Sequence, residues 1–185
     1  MDIILAIVFG TGFGFVLTRV GAADPDKIVG MLSLRDLHLM KAILFAIGLS
    51  SSLLFIGLQI GLVDASHLSV KDAYLGVLVG GLMLGFGWAY SGYCPGTGIV
   101  AAGTGRKDGY FFILGGLLGA GVYALLFGSI AESSLFGAIA GGKVSLVATG
   151  VNESLLQASW SPVVAIAIGM GMMALAKALP ANFRK

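Results

Sequence analysis

Charged side chains are scarce in this sequence. Only 11% of its 185 residues are Asp, Glu, Lys or Arg, whereas an average soluble protein has about 25%. The formal net charge of +2 is too small for a phosphate-binding surface, so we expect no nucleic-acid partner. Hydrophobic residues make up 57% of the chain. This composition disfavours a water-soluble enzyme and predicts an integral membrane protein that has the lipid bilayer as its solvent.

Cysteine and histidine are nearly absent as well. The chain has one cysteine, Cys94, and two histidines, His38 and His67. A single cysteine cannot form a disulfide within the chain. His, Cys, Asp and Glu are nowhere clustered with the spacing of metal ligands, and neither histidine lies near Cys94 in the sequence. We therefore expect no metal, no cofactor and no catalytic residue.

Glycine, by contrast, is abundant. Its 30 residues are typical of closely packed membrane helices with irregular backbone buried among them. Five apolar stretches, 3–18, 42–63, 73–90, 110–130 and 162–176, predict membrane-crossing helices. A weaker stretch, 135–151, contains Lys143 and leaves five or six crossings open. Because 73–105 contains no charged residue, we interpret it as a helix that ends inside the membrane, a buried loop and a short returning helix.

The distribution of Lys and Arg predicts an orientation. With five crossings, nine basic residues fall on one side of the membrane and only Lys71 and Lys143 on the other. Basic residues are enriched in cytoplasmic loops. We therefore expect a multi-pass protein of a bacterial inner membrane, with its N-terminus outside and its C-terminus in the cytoplasm.

Two segments of the chain share one pattern. Residues 12–15 read Gly-Phe-Gly-Phe and residues 85–88 read Gly-Phe-Gly-Trp. Two further pairs recur at nearly the same offset, Asp24 and Pro25 with Cys94 and Pro95, and Arg35 and Asp36 with Lys107 and Asp108. We predict an all-α integral membrane protein with short, interrupted helices and two buried Gly/Pro loops in an internal repeat. Paired interruptions of this kind indicate the binding site of a transporter.

The repeat also predicts the boundaries of the chain's parts. The repeat units extend over about 3–62 and 73–130, a C-terminal helix follows at about 160–179, and all belong to a single membrane domain. Asp36 and Asp108 each precede an apolar stretch, where a carboxylate can accept the free N–H groups of a helix start. We expect both residues to cap helices.

The second loop contains the residues that we expect to bind a substrate: Gly92, Tyr93, Cys94, Pro95, Gly96, Thr97 and Gly98. Proline suits the first turn of a helix, because its missing N–H would have no partner there. The glycines that follow allow backbone N–H groups to approach a ligand closely, and a helix N-terminus attracts anions. Cys94 would lie at the tip of this anion site.

These residues resemble a known family. Residues 85–98, 105–108 and 115–119, together with 12–27, are similar to the YeeE/YedE sulfur-transport family, in particular to its half-length members. The resemblance implies uptake of a small sulfur-containing anion, thiosulfate, along buried loops, with Cys94 in contact with the substrate. We expect Asp24 and Pro25 of the first loop to take part. The basic residues near the mouths of the path either attract the anion or set the topology; they are Arg19, Lys27, Arg106 and Lys107.

The chain departs from full-length members of that family in having half their length and one cysteine instead of several. Two alternatives to a complete transporter stay open. One is a membrane sulfurtransferase in which Cys94 becomes a persulfide, and the other is a structural half that completes a sibling's pathway. Because five short elements cannot easily shield two polar loops from lipid, we expect a homodimer or a heterodimer with a homologous half-length protein.

Overall fold

The computed structural model describes residues 2–69, 71–139, 142–147, 153–154 and 160–180. In these ranges the chain forms seven α-helices: α1 (Asp2–Val20), α2 (Pro25–Leu32), α3 (His38–Gln59), α4 (Leu75–Ser91), α5 (Pro95–Gly103), α6 (Lys107–Ile130) and α7 (Ser161–Ala178). Two single-turn 3-10 helices lie at Ala65–His67 and Ser134–Phe136. Extended pairing in the described ranges joins two-residue segments, β1 (Val144–Ser145) and β2 (Glu153–Ser154), and a single antiparallel bridge links Tyr74 to Ala138. The expected all-α fold is confirmed.

Five segments of the described chain are long and apolar enough to cross a membrane. They are Ile3–Val20, His38–Gln59, Leu75–Gly103, Lys107–Ile130 and Ser161–Ala178. Large apolar side chains on these helices remain exposed, for example Phe9 (71%), Phe86 (75%) and Leu125 (86%). Such surfaces suit lipid, which solvates apolar side chains as well as a protein interior does. The chain is a multi-pass membrane protein.

The weaker apolar stretch 135–151 does not form a membrane-length helix in its described part. Residues 135–139 and 142–147 contain the end of a 3-10 turn and strand β1, and the remainder of the stretch lies outside the described residues. Gly142 adopts φ +91°, a conformation that interrupts a helix. Among the described residues, the number of membrane-length segments is therefore five.

The two predicted interrupted helices have the same element order. In each, a long helix is followed by a short loop, a short helix with proline in its first turn, and a second long helix. The first long helices, α1 and α4, end at glycines in the left-handed region, Gly21 (φ +83°) and Gly92 (φ +70°). Glycine ends helices in this way because it lacks the Cβ that would strain a positive φ. The expectation of short, interrupted helices with Gly/Pro loops is confirmed.

The described chain forms two compact units. The first contains residues 2–39 and 82–130, and the second contains the described residues between 40 and 81 and between 131 and 180. Both Gly/Pro loops, with α2 and α5, belong to the first unit. The single-domain interpretation and the repeat boundaries 3–62 and 73–130 stay predictions.

Glycine packing holds the second unit together. A Cβ at Gly48 of α3 would meet the carbonyl oxygen of Gly169 in α7, and a Cβ at Gly169 would overlap the hydroxyl of Ser52. The two backbones approach this closely only because both residues lack a side chain, which is typical of membrane helix pairs. Elsewhere in this unit the Tyr74 and Phe136 rings stack at 5.2 Å between centroids.

Candidate functional site

Cys94 is the N-cap residue of α5. Its backbone is extended (φ −86°, ψ 165°), and its Sγ accepts the backbone N–H of Thr97 at 3.4 Å. The Thr97 Oγ1 in turn accepts the Cys94 N–H at 2.9 Å. This is a reciprocal capping box in which sulfur takes the position usually held by a Ser, Thr or Asp oxygen. Pro95 follows at the first helical position, as the sequence predicted.

The thiol of Cys94 is partly exposed, and its Sγ contacts two groups of Thr97. It accepts the Thr97 N–H at 3.4 Å, and the Thr97 hydroxyl lies 3.3 Å from it. A thiol is a weak donor and a polarizable contact. The site therefore presents a soft, polarizable group at the positive end of a nine-residue helix.

Backbone donors in the first turn of α5 are partly occupied. The Thr97 N–H is bonded to Cys94 Sγ, and the Gly98 N–H donates to the Cys94 carbonyl at 3.0 Å. Of the three residues 96–98, the exposed Gly96 is the one whose N–H makes no such bond within the described chain. The group best placed to meet a ligand is thus the N–H of Gly96.

Gly98 is required by packing instead. A Cβ at this position would overlap the ring of Phe112 in α6, and a Cβ at Gly109 would press on Ala101 and Ala102. The start of α5 thus contacts a later part of α6, and the end of α5 contacts the beginning of α6. The two helices therefore pack antiparallel. The ring of Tyr93 meets the ring of Phe112 edge-on, with centroids 5.7 Å apart. The hairpin of α5 and α6 is therefore a close-packed support for Cys94.

The two Gly/Pro loops meet at Gly92 and Pro25. A Cβ built on Gly92 would lie 2.7 Å from the Cβ of Pro25 and 3.2 Å from its carbonyl oxygen. Pro25 is the first residue of α2, and Gly92 belongs to the loop that leads to α5. The starts of the two short helices are thus neighbours in the first unit. Ala22 and Ala23 of the first loop and Tyr93 of the second loop are all buried (8% exposed or less).

A chain of polar contacts crosses the same region. Arg106 lies 3.8 Å from Asp24 and 3.2 Å from Asp108, and the Tyr93 hydroxyl donates to Asp108 Oδ2 at 2.6 Å. Asp24 is the N-cap of α2, where it accepts the N–H of Asp26. The hydrogen bond to Asp108 raises the pKa of Arg106, which keeps its charge. Asp108, expected to cap α6, lies within the first turn of that helix, and its carboxylate binds Tyr93 and Arg106.

Lys27 and Arg19 lie outside this polar chain. Lys27 forms an ion pair with Asp36 at 3.4 Å, and Asp36 accepts the backbone N–H of His38 at 3.0 Å at the start of α3. The predicted capping role of Asp36 is confirmed. The hydrogen bond from His38, together with Lys27, lowers the pKa of Asp36. Arg19 is exposed in the last turn of α1 and makes no ion pair within the described ranges.

Sequence reasoning missed the contacts that join the predicted residues. Arg106 and Asp24 are far apart along the chain, and so are Tyr93 and Asp108, hence no local spacing signals either pair. The available signal is the pair of basic–acidic dipeptides, Arg35-Asp36 before α3 and Lys107-Asp108 at the start of α6, which we interpret from the sequence as helix caps. In the part of the chain that the structure describes, no group of three or more His, Cys, Asp and Glu side chains could hold a metal ion.

Comparison with known proteins identifies relatives. The family described as sulphur transport matches residues 25–184. A probable transporter YedE of Salmonella typhimurium strain LT2 is 28% identical over 129 residues, which cover 70% of this chain and 31% of that protein. A probable transporter of Xylella fastidiosa strain Temecula1 is 26% identical over 117 residues, 59% of this chain and 79% of that protein. The chain thus spans under a third of YedE and about four fifths of the Xylella protein. No solved structure matches.

Proposed function

The chain belongs to the sulphur transport family, and we propose that it takes up a small sulfur-containing anion, thiosulfate, across a bacterial inner membrane. The family and the five membrane-length segments among the described residues support a membrane transporter. The substrate, the direction of transport and the orientation, with the N-terminus outside, are our proposal. Nine basic residues on the predicted cytoplasmic side support this orientation.

One observation carries the proposal: the loop that leads into α5 contacts the first residue of α2, at Gly92 and Pro25. A helix N-terminus bears a partial positive charge, which acts strongly where water is excluded. Irregular backbone within a membrane-spanning segment is tolerated only when it is buried in protein or lines a cavity. The α5 end, which Cys94 caps, can attract an anion, whereas the α2 end already carries the Asp24 carboxylate, which Arg106 pairs at 3.8 Å.

Cys94 is proposed to contact the anion through its S–H group. A thiolate would be stabilised by the helix end but would repel a dianion, so the neutral thiol is the useful form. A weak donor binds and releases, as conduction through successive sites requires. The Gly96 N–H is proposed as the second donor, because its neighbours Thr97 and Gly98 use theirs in the cap.

The basic residues divide into two groups by their partners. Lys27 and Arg106 are paired with carboxylates, whereas Arg19 and Lys107 make no ion pair among the described residues. Unpaired cations raise the local concentration of anions near an entrance. We propose this role for Arg19 and Lys107, in place of the earlier expectation for Lys27.

The assembly is proposed to be a dimer, because the chain spans 31% of YedE and its helices expose large apolar faces. The partner is a second copy or a homologous half-length protein. Co-expression followed by pull-down and mass measurement in nanodiscs tests this proposal. A stable monomer with no captured partner would contradict it.

Uptake of radiolabelled thiosulfate into liposomes that contain the purified chain tests the function. We expect uptake that unlabelled thiosulfate competes away, with the chain alone or with its homologous half. Empty liposomes and liposomes with the Cys94→Ala variant are the controls. Absence of uptake in every combination would contradict the proposal. A stable extra sulfur atom on Cys94, detected by mass spectrometry after thiosulfate exposure, would favour the sulfurtransferase alternative.

A further inference from the structure

Arg106 connects the caps of the two short helices. Its guanidinium lies 3.8 Å from Oδ1 of Asp24, the atom that also accepts the first backbone N–H of α2. On its other side it lies 3.2 Å from Oδ2 of Asp108. The same Oδ2 accepts the hydroxyl of Tyr93 at 2.6 Å, and Tyr93 directly precedes the cap of α5. A continuous series of polar contacts therefore joins the cap of α2 to the cap of α5.

We propose that Arg106 is a positioning residue that holds the N-termini of α2 and α5 at one fixed separation, so that the Cys94 cap of α5 keeps one place beside the first loop. This inference rests on the proposed function and adds a role that requires no contact between Arg106 and the substrate. The field of a helix end falls off within one turn. A small displacement of the α5 cap would therefore weaken its attraction for the anion.

The charges around Arg106 argue against direct attraction of the substrate. One guanidinium faces two carboxylates, Asp24 and Asp108, so the group as a whole does not raise the positive potential for an incoming anion. The planar fork of arginine can bond two acceptors at once, which suits a residue that spans two loops. The buried Tyr93, 2% exposed, carries the contact into the packed hairpin of α5 and α6.

Three variants separate positioning from attraction: Arg106→Gln, Asp24→Asn and the double variant. Asparagine retains the cap of α2, because its side-chain oxygen accepts the same N–H. If Arg106 positions the caps, each single variant lowers thiosulfate uptake by about tenfold and the double variant falls no further. If Arg106 attracts the anion, Asp24→Asn raises uptake, Arg106→Gln lowers it, and the double variant approaches the wild type.

The single cysteine provides a readout that does not depend on transport. We expect the rate at which neutral N-ethylmaleimide alkylates Cys94 to change by roughly threefold or more in Arg106→Gln, because the α5 cap becomes mobile. The matched control is Arg35→Gln, an exposed cation of the same unit that makes no ion pair among the described residues, which should leave the rate unchanged. Arg106→Lys keeps the positive charge but not the planar guanidinium, and its uptake and alkylation rates should lie between those of wild type and Arg106→Gln.

The outcomes distinguish this proposal from the function on which it rests. Wild-type alkylation in Arg106→Gln, or uptake above wild type in Asp24→Asn, would overturn the positioning role. Normal uptake by Cys94→Ala would overturn the proposed function, whatever the alkylation rates show. If Arg106→Gln does not fold, Arg106→Lys and Asp24→Asn carry the same test.

Discussion

Cys94 and Thr97 cap the same helix reciprocally, with sulfur as one of the two acceptors. The Thr97 N–H reaches Cys94 Sγ at 3.4 Å, and the Cys94 N–H reaches Thr97 Oγ1 at 2.9 Å. A thiol is a weaker acceptor than a hydroxyl, so an oxygen would serve the cap at least as well. The cap itself therefore does not require sulfur, which is consistent with the proposed contact between Cys94 and the substrate.

The first prediction concerns the stability of the cap. Cys94→Ser should unfold at the wild-type temperature or slightly above it, because serine is among the best N-cap residues. Cys94→Ala removes the acceptor and should lose about 0.5–2 kcal/mol of stability. Thermal unfolding of the purified variants in one detergent measures the difference. Equal losses in the two variants would show that the sulfur does not act as a cap.

The second prediction concerns Gly98. Gly98→Ala should destabilise the protein by about 1–3 kcal/mol, because the added methyl group overlaps the ring of Phe112 and overpacking is costly. Gly96→Ala is the matched control, since a Cβ there meets nothing within 4 Å. Its stability should stay within about 1 kcal/mol of wild type. Replacing the ring by a smaller side chain, in Phe112→Leu, should recover part of the stability that Gly98→Ala loses. No recovery in the double variant would contradict the packing account.

Gly92 gives the third prediction. Gly92→Ala combines a positive φ of +70° with a close approach to Pro25. Gly105→Ala shares the positive φ, at +84°, but its Cβ would meet nothing within 4 Å. Backbone strain alone should lower the stability of Gly105→Ala by about 1–2 kcal/mol. Gly92→Ala should lose more stability, because it adds a steric overlap with Pro25. Paired thermal unfolding of the two variants checks this order, and an equal loss would mean that the two loops are not in contact.

The fourth prediction is a pH dependence caused by Asp36. The hydrogen bond from the His38 N–H and the Lys27 charge lower the pKa of Asp36 from its ordinary value of 3.8. A lowered pKa stabilises the fold above that ordinary value, and the contribution disappears as the pH falls through the folded-state pKa. Because Lys27 is half exposed, the ion pair itself contributes about 0.2–1 kcal/mol.

Asp36→Asn tests this dependence, because the amide oxygen can still accept the His38 N–H without a titrating group. Stability of the wild type should fall more steeply below pH 3.8 than that of the variant. Lys27→Gln keeps the backbone hydrogen bond and should give an intermediate slope. Identical acid unfolding curves for the three proteins would contradict the assignment.

Local signals in the sequence were sufficient for the helices and their interruptions. Glycine before a proline-led turn predicted the ends of α1 and α4 and the start of α5, because both residue types restrict the backbone directly. The short helix α2 was expected to be part of the first loop. Boundaries were less exact. Helix α1 continues to Val20 instead of ending at 18, since Arg19 is tolerated in a last turn, where its charge favours the helix dipole.

The assembly of the site could not be predicted in the same way. The contact of Gly92 with Pro25 and the ion pair of Arg106 with Asp24 join residues from different repeat units. Their formation depends on how α5 packs on α6 and α1, which periodicity does not encode. The same limitation explains why Arg106 was expected at a pore mouth, although its charge is held by two carboxylates.

The most direct test of the account is the initial rate of radiolabelled thiosulfate uptake by liposomes that contain wild type, Cys94→Ser or Cys94→Ala. The account predicts that both variants fall to the rate of empty liposomes, although Cys94→Ser retains wild-type thermal stability and membrane insertion. A Cys94→Ser protein that transports at the wild-type rate would contradict it, because the cap alone, and not the sulfur, would then be what transport requires.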